Sequence, residues 1–286
     1  MDRRNPNSGR LPWDGALPQR SPMLAPLAAL WREAPELVRG WPDLAVLNRL
    51  SNGRGVSNTR GQPVAFVPPL VRRARFEDGY EQRAWLAGEI ETRPRCWHDV
   101  LNAFAWCLFP RVKAALNARH FESLSGARHG PASARGSRGR LRDALTLLDE
   151  SGVIVACAEP ALAELLRGRQ WPALFWERRA QVQAGMRFFL LGHGLMEKAL
   201  APFVGMTGHG WILPVEPAML AQPGTALIAR LDADLAQRLL QGDGAALRAA
   251  LTPVPVLGVP GWWARNADAG FYADTSYFRP PRAAAA

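Results

Sequence analysis

Residues 97–121 read WHDVLNAFAWCLFPRVKAALNARHF, and the spacing of their apolar positions sets the fold class. Trp97, Val100, Leu101, Phe104, Ala105 and Leu108 recur at three- and four-residue intervals, the stripe of a helix over 97–109. Pro110 removes an amide donor and ends that helix, while its fixed φ suits the first turn of a second helix over 111–121. On either side, helices are expected at 80–90, 160–167, 172–200 and 232–240, with two short ones within 23–50. Strands are expected at 64–67 and 211–213. A hairpin is expected where Leu145-Thr146-Leu147-Leu148 and Val153-Ile154-Val155-Ala156 flank the turn Asp149-Glu150-Ser151-Gly152. Residues 253–263, PVPVLGVPGWW, cannot continue a helix and are too apolar to stay in water, so they should wrap the domain.

The expected fold is α+β and predominantly helical. A helical core carries a small antiparallel β-hairpin or sheet and a long, wrapped Pro/Trp-rich C-terminal segment. Residues 23–282 read as a single globular domain, with 1–22 and 283–286 disordered. Residues 123–140, rich in Gly, Ser, Ala and Arg and lacking periodicity, read as a mobile basic loop.

With 286 residues, 48% hydrophobic and 21% charged, the chain can bury a sizeable core. That excludes a disordered chain, a disulfide scaffold and a collagen-like repeat. The net charge of +10 comes almost wholly from arginine, since Lys113 and Lys198 are the only lysines. Many arginines sit beside acids, as in Arg32-Glu33 and Glu177-Arg178-Arg179, which reads as a solvated basic surface. Nucleic-acid or anion binding is the alternative, carried by Arg128, Arg135, Arg138 and Arg140 of the loop. Cys96, Cys107 and Cys157 lack CxxC spacing and read as free thiols of a reducing, cytoplasmic setting. His193, Glu197 and Lys198 interrupt the best apolar window, so no membrane span is expected.

Three groups of polar residues stand out against this background. His98 and Asn102 share one helical stripe, with Asp99 beside it, and Lys113, Asn117 and His120 share a stripe on the next helix. His193 and Glu197 are also four apart, on what reads as the core side of the 172–200 helix. A charged Glu there must meet a cation, a metal or His193 itself. Gly192 and Gly194 flank that histidine and let another backbone approach closely. Asp143, Asp149 and Glu150 surround the expected hairpin turn, and one of them could stand beside the histidines as a ligand or general base. The plainer reading of every group is bracing, with Asn, His and Asp satisfying buried loops and turns. HExxH, GxSxG, Walker and dinucleotide signatures are absent.

Several of these strings occur together in a recognisable order. They are Arg95-Cys96-Trp97-His98-Asp99 with Asn102, Phe109-Pro110 with Lys113, Asn117 and His120, and Arg142-Asp143 with Thr146, Asp149-Glu150 and Gly152. Gly192-His193 with Leu195, Glu197 and Pro202 follow, then PVLGVPGW, Phe271-Tyr272 and Phe278-Arg279-Pro280. From about 44 to 280 the chain resembles the bacterial family catalogued as domain of unknown function 3025. The resemblance implies no activity, because the family has none established. Cys96 stands where the family pattern has Asn, which speaks against a thiol nucleophile.

Three functional readings follow. The first is an enzyme, a metal-dependent hydrolase, with His98, Asp99, Asn102, His120, Asp149, His193 and Glu197 as its site. In it a divalent metal is held by His98, His120, His193 and Glu197 and acts on a small-molecule substrate. The second is the nucleic-acid or anion binder, and the third a protein-interaction module without catalysis that docks through its Trp-rich tail.

Overall fold

The computed structural model describes residues 11–129 and 135–281, except for the side chains of 127–129 and 135–138. The chain opens with the short helices α1 (Leu17–Arg20), α2 (Ala28–Glu33) and α3 (Leu44–Gly53). Residues 11–22, expected to be unstructured, instead hold α1, whose Leu17 and Pro18 are buried. Residues 1–10 and the tail 282–286 lie outside the described residues.

β1 (Ala65–Val67), α4 (Tyr80–Ala87) and β2 (Glu89–Glu91) form a strand–helix–strand unit with parallel strands. Gly88, at φ 72°, closes α4 in the left-handed conformation and lets β2 follow at once. α5 (Trp97–Leu108) comes next, and every one of its residues except His98 is buried. A helix apolar on nearly all sides needs cover all round. Part of that cover comes from the start of the chain: Trp13 stacks on Trp97 with ring centroids 4.7 Å apart, and Trp97 Nε1 donates to Leu11 O at 3.1 Å.

α6 (Pro110–His129) and α7 (Arg135–Ser151) occupy most of the 123–140 segment expected to be a loop, and 130–134 lie outside the described residues. The expected hairpin is also replaced. Ala144, Leu145 and Leu148 are buried at helical spacing on α7, which runs through Ser151 straight into the fully buried strand β3 (Gly152–Cys157). Gly152 permits this, since a Cβ there would lie 2.2 Å from Leu148 O. α8 (Pro160–Arg167) falls at 160–167, where periodicity puts it.

The single helix expected over 172–200 resolves into a π-helical run Pro172–Glu177, α9 (Arg179–Gly185), β4 (Met186–Leu190) and α10 (His193–Lys198). β5 (Thr207–Pro214), α11 (Pro217–Leu220), α12 (Gly224–Gln241), α13 (Gly244–Ala250) and β6 (Leu251–Pro255) complete the regular elements. The four-stranded sheet has order β4-β3-β5-β6 and is mixed, not a purely antiparallel sheet: β3 pairs antiparallel with β4 and parallel with β5. β6 is an edge strand, the place where Pro253 and Pro255 are tolerated.

α12 lies along α6, and its Asp232 accepts from Arg111 N at 3.1 Å and Val112 N at 2.8 Å, satisfying the open first turn of α6. Burial pushes that carboxyl up to about 6. The C-terminal segment wraps as its composition requires. Tyr277 Oη accepts from Leu257 N at 3.0 Å and donates to Met206 O at 2.7 Å, while Asn266 Nδ2 donates to Leu257 O and Val259 O. Among the described residues no helix is long and apolar enough to cross a membrane.

Candidate functional site

The passage from α7 into β3 is the platform on which the polar groups meet. Leu191 N and Gly192 N both donate to Gly152 O at 3.0 Å, fastening the start of α10 to that passage. Close approach requires glycine on the α10 side. A Cβ on Gly192 would lie 2.4 Å from Ser151 N, and one on Gly194 would lie 2.5 Å from Glu150 Oε2. His193, between them, is thereby pressed against Asp149 and Glu150, and α5 brings His98 onto the same spot.

His98 Nε2 and His193 Nε2 face each other at 3.1 Å, with the rings edge-on at 71°. Glu150 Oε1 is 3.6 Å from His193 Nε2. One donor atom from each of His98, Glu150 and His193 lies within 4.8 Å of the other two. Behind His98, its Nδ1 meets Glu197 Oε2 at 3.0 Å. That carboxylate accepts the Nδ1 proton and so leaves the His98 Nε2 lone pair directed at His193. Two imidazole nitrogens this close need something positive between them, a proton or a cation. The hydrogen bond to Glu197 raises the His98 pKa, whereas burial pushes His193 down to about 3 and keeps it neutral at pH 7.

The remaining polar groups form the walls of a cleft of about 430 Å³ that includes these donors. Lys113, 4% exposed, pairs with Asp149 and stands over the Trp106 ring. Burial alone would raise the Asp149 carboxyl, but the Lys113 ammonium outweighs it and holds the group down at about 2. Arg93 grips Asp99 through Nε and Nη2, both at 2.8 Å. Asn102 Nδ2 donates to Tyr80 Oη at 2.7 Å, and Asn117 Nδ2 donates to Glu81 Oε2 at 2.7 Å. The cleft is lined by five carboxylates (Glu81, Glu91, Asp99, Asp149, Glu150) against two arginines, Arg73 and Arg93. Arg83 and Lys113 pair with Glu91 and Asp149 from behind these walls, so the charge of the lining is close to balanced.

His98, Asp99, Asn102, His120, Asp149 and His193, singled out from the sequence, all line this one cleft. Glu197 sits behind His98 and touches its far nitrogen, so it orients a donor instead of being one. His120 is buried in the cleft wall, its pKa lowered by burial, and is not one of the three converging donors. The donor set is therefore His98, Glu150 and His193. Glu150 reaches them from the last turn of a helix, not from a hairpin turn. Tyr80 and Glu81 were not legible as site residues, because nothing in their local sequence ties α4 to the other helices.

Arg140 is exposed on α7, and the side chains of Arg128, Arg135 and Arg138 lie outside the described residues. The Cys96 thiol is pushed up by burial, away from the thiolate a nucleophile requires. Ser151 Oγ donates to Leu147 O at 2.9 Å, so His209 Nδ1, 2.8 Å away, must donate to that hydroxyl and cannot activate it. A family model described as "Protein of unknown function (DUF3025)" matches residues 64–282. No curated protein and no solved structure matches the chain.

Proposed function

The chain belongs to the DUF3025 family, whose description names no activity, and on that footing we propose that it is a metal-dependent hydrolase. Its ion is held by His98 Nε2, His193 Nε2 and a Glu150 oxygen. The observation that carries the reading is the spacing of these donors, 3.1 Å between the nitrogens and 3.6 Å from His193 to Glu150. Donors about 2.0–2.1 Å from a tetrahedral zinc stand about 3.3 Å apart, so these two edges need only a few tenths of an ångström, while the His98–Glu150 edge, within 4.8 Å, closes by rotation of the Glu150 side chain. Two histidines and one carboxylate leave the fourth position open, the arrangement of a catalytic and not a structural zinc.

The surroundings support the same reading. Glu197 fixes the tautomer of His98, as a carboxylate behind a ligating imidazole does. His98, Glu150 and His193 line a cleft of the size that takes a small molecule. An ion held by these three residues would lower the pKa of bound water towards neutrality, the chemistry that ester or amide hydrolysis needs. Bracing accounts for the same pair as a hydrogen bond from His193 Nε2–H to His98 Nε2, and metal uptake separates the two readings.

Calorimetric titration of chelator-treated protein with Zn²⁺ tests the proposal. One ion per chain is expected, lost in His98→Ala, His193→Ala and Glu150→Ala and kept in His120→Ala. Absence of uptake of Zn²⁺, Mn²⁺, Co²⁺ and Fe²⁺ alike would leave bracing as the role of the cluster. Selective uptake of Fe²⁺ would move the chemistry from hydrolysis to oxygen activation, for which the same donor set also serves.

A further inference from the structure

The carboxylates around the cleft differ in what holds them. Glu91 pairs with Arg73 and Arg83, Asp99 with Arg93, and Asp149 with Lys113. Glu81 is held by an amide: Asn117 Nδ2 donates to its Oε2 at 2.7 Å and to its main-chain oxygen at 2.9 Å. No ion pair among the described residues includes it.

The difference has chemical content. A guanidinium or ammonium partner locks a carboxylate in its ionised form. An amide N–H donates to the carbonyl oxygen of a neutral carboxylic acid too, though less strongly than to a carboxylate, so Glu81 can gain and lose a proton without losing its anchor. Asn117 fixes the side chain from α6 while the carboxyl lines the same cleft as His98, Glu150 and His193. Burial raises the Glu81 carboxyl to about 7 with help from the Asp149 charge, against the opposing pull of Asn117 and Lys113. A group in that range exchanges protons readily at neutral pH.

We propose that Glu81 is the proton carrier of the cleft, taking a proton from the attacking water and delivering it to the leaving group. The inference rests on the hydrolase reading above. As one water O–H bond breaks, its proton goes to the Glu81 carboxylate and the oxygen bonds to the acyl carbon of an ester or amide. The bond from that carbon to the leaving group then breaks, the leaving group keeps the electron pair, and Glu81 returns the proton to it. Water and ester become acid and alcohol, and the carboxylate is regenerated.

The experiment compares zinc-loaded wild-type protein with Glu81→Gln, which keeps an oxygen for Asn117 Nδ2 and cannot carry a proton. Zinc uptake, thermal melting and hydrolysis of p-nitrophenyl acetate and acetanilide are measured together. Uptake and melting should be unchanged while hydrolysis falls at least about 100-fold, with partial recovery in Glu81→Asp. Hydrolysis by Glu81→Gln within threefold of wild type would overturn the role of Glu81 and leave the hydrolase reading standing. Zinc binding by wild type without hydrolysis of either probe would overturn both roles but keep the metal site. Failure of wild type to take up zinc would remove the metal site and Glu81's role with it.

Discussion

Asn266 and Asn117 are both buried asparagines, 1% and 3% exposed, and they are used in opposite ways. Asn266, in the C-terminal wrap, donates to Leu257 O at 2.8 Å and Val259 O at 2.7 Å and accepts from Arg179 Nη2 at 3.1 Å. Every hydrogen-bonding atom of that amide is matched. Asn117, behind the cleft wall, directs both of its bonds to Glu81 and leaves Oδ1 without a protein partner, as Asn102 does with its own Oδ1. Saturated polar groups hold chain segments together, whereas groups left with spare capacity mark where something other than the protein completes the network. The bonds of Asn266 and Tyr277 tie the wrap together, although its Trp263 Nε1 lacks a partner, whereas both asparagines beside the cleft keep an unmatched acceptor.

Substitutions can break or sharpen this contrast. The largest effect is expected at the seam, where a Cβ on Gly192 would lie 2.4–2.5 Å from main-chain atoms of residues 150–152. Gly192→Ala should cost about 3 kcal/mol or more in denaturant unfolding and abolish zinc uptake as well, because stiff backbone cannot yield. A variant of native stability that still binds zinc would mean that the passage from α7 to β3 is not the rigid platform described. Asn266→Ala should cost about 2–3 kcal/mol, since two buried carbonyls lose their donor, while zinc affinity stays the same. Zinc affinity falling in step with stability would show the two regions to be one network and end the comparison.

Glu197→Gln sharpens the other side. Zinc affinity should fall about 10- to 100-fold, about 1.4–2.7 kcal/mol, with metal-free stability changed by less than about 1 kcal/mol. Collapse of the metal-free protein would identify the His98–Glu197 pair as a brace. Tyr277→Phe carries the smallest effect, about 1 kcal/mol in melting experiments, from losing the hydroxyl between Leu257 N and Met206 O. Indifference to that change would indicate that apolar packing, not polar saturation, holds the wrap.

The helical skeleton was legible where apolar spacing and proline agree: α5 ends one residue short of the expected 109, and α8 occupies 160–167. Legibility failed where residue type pulled against spacing. Gly, Ser and Arg suggested a loop at 135–140, and the β-branched run Val153–Val155 drew Leu145–Leu148 into an imagined hairpin, although Leu141, Ala144, Leu145 and Leu148 already keep helical period. The His193–Glu197 spacing suits one long helix, yet β4 intervenes and α10 has only six residues.

Even so, the histidines were found, because a polar residue on an otherwise buried stripe is visible in one dimension. Glu81 was not. Its distinction lies in having an amide from another helix as its partner, and such a partner exists only after folding.

Trp97 stands one residue before His98 and is tied by its indole to Leu11, 86 positions earlier in the chain. Contacts between such remote segments are among the last to form as a protein folds. A chain that has lost Leu11 to a protease would carry both histidines without that clasp beside the first of them. The neighbour of the first histidine is in this way moored to the far end of a loop of 86 positions.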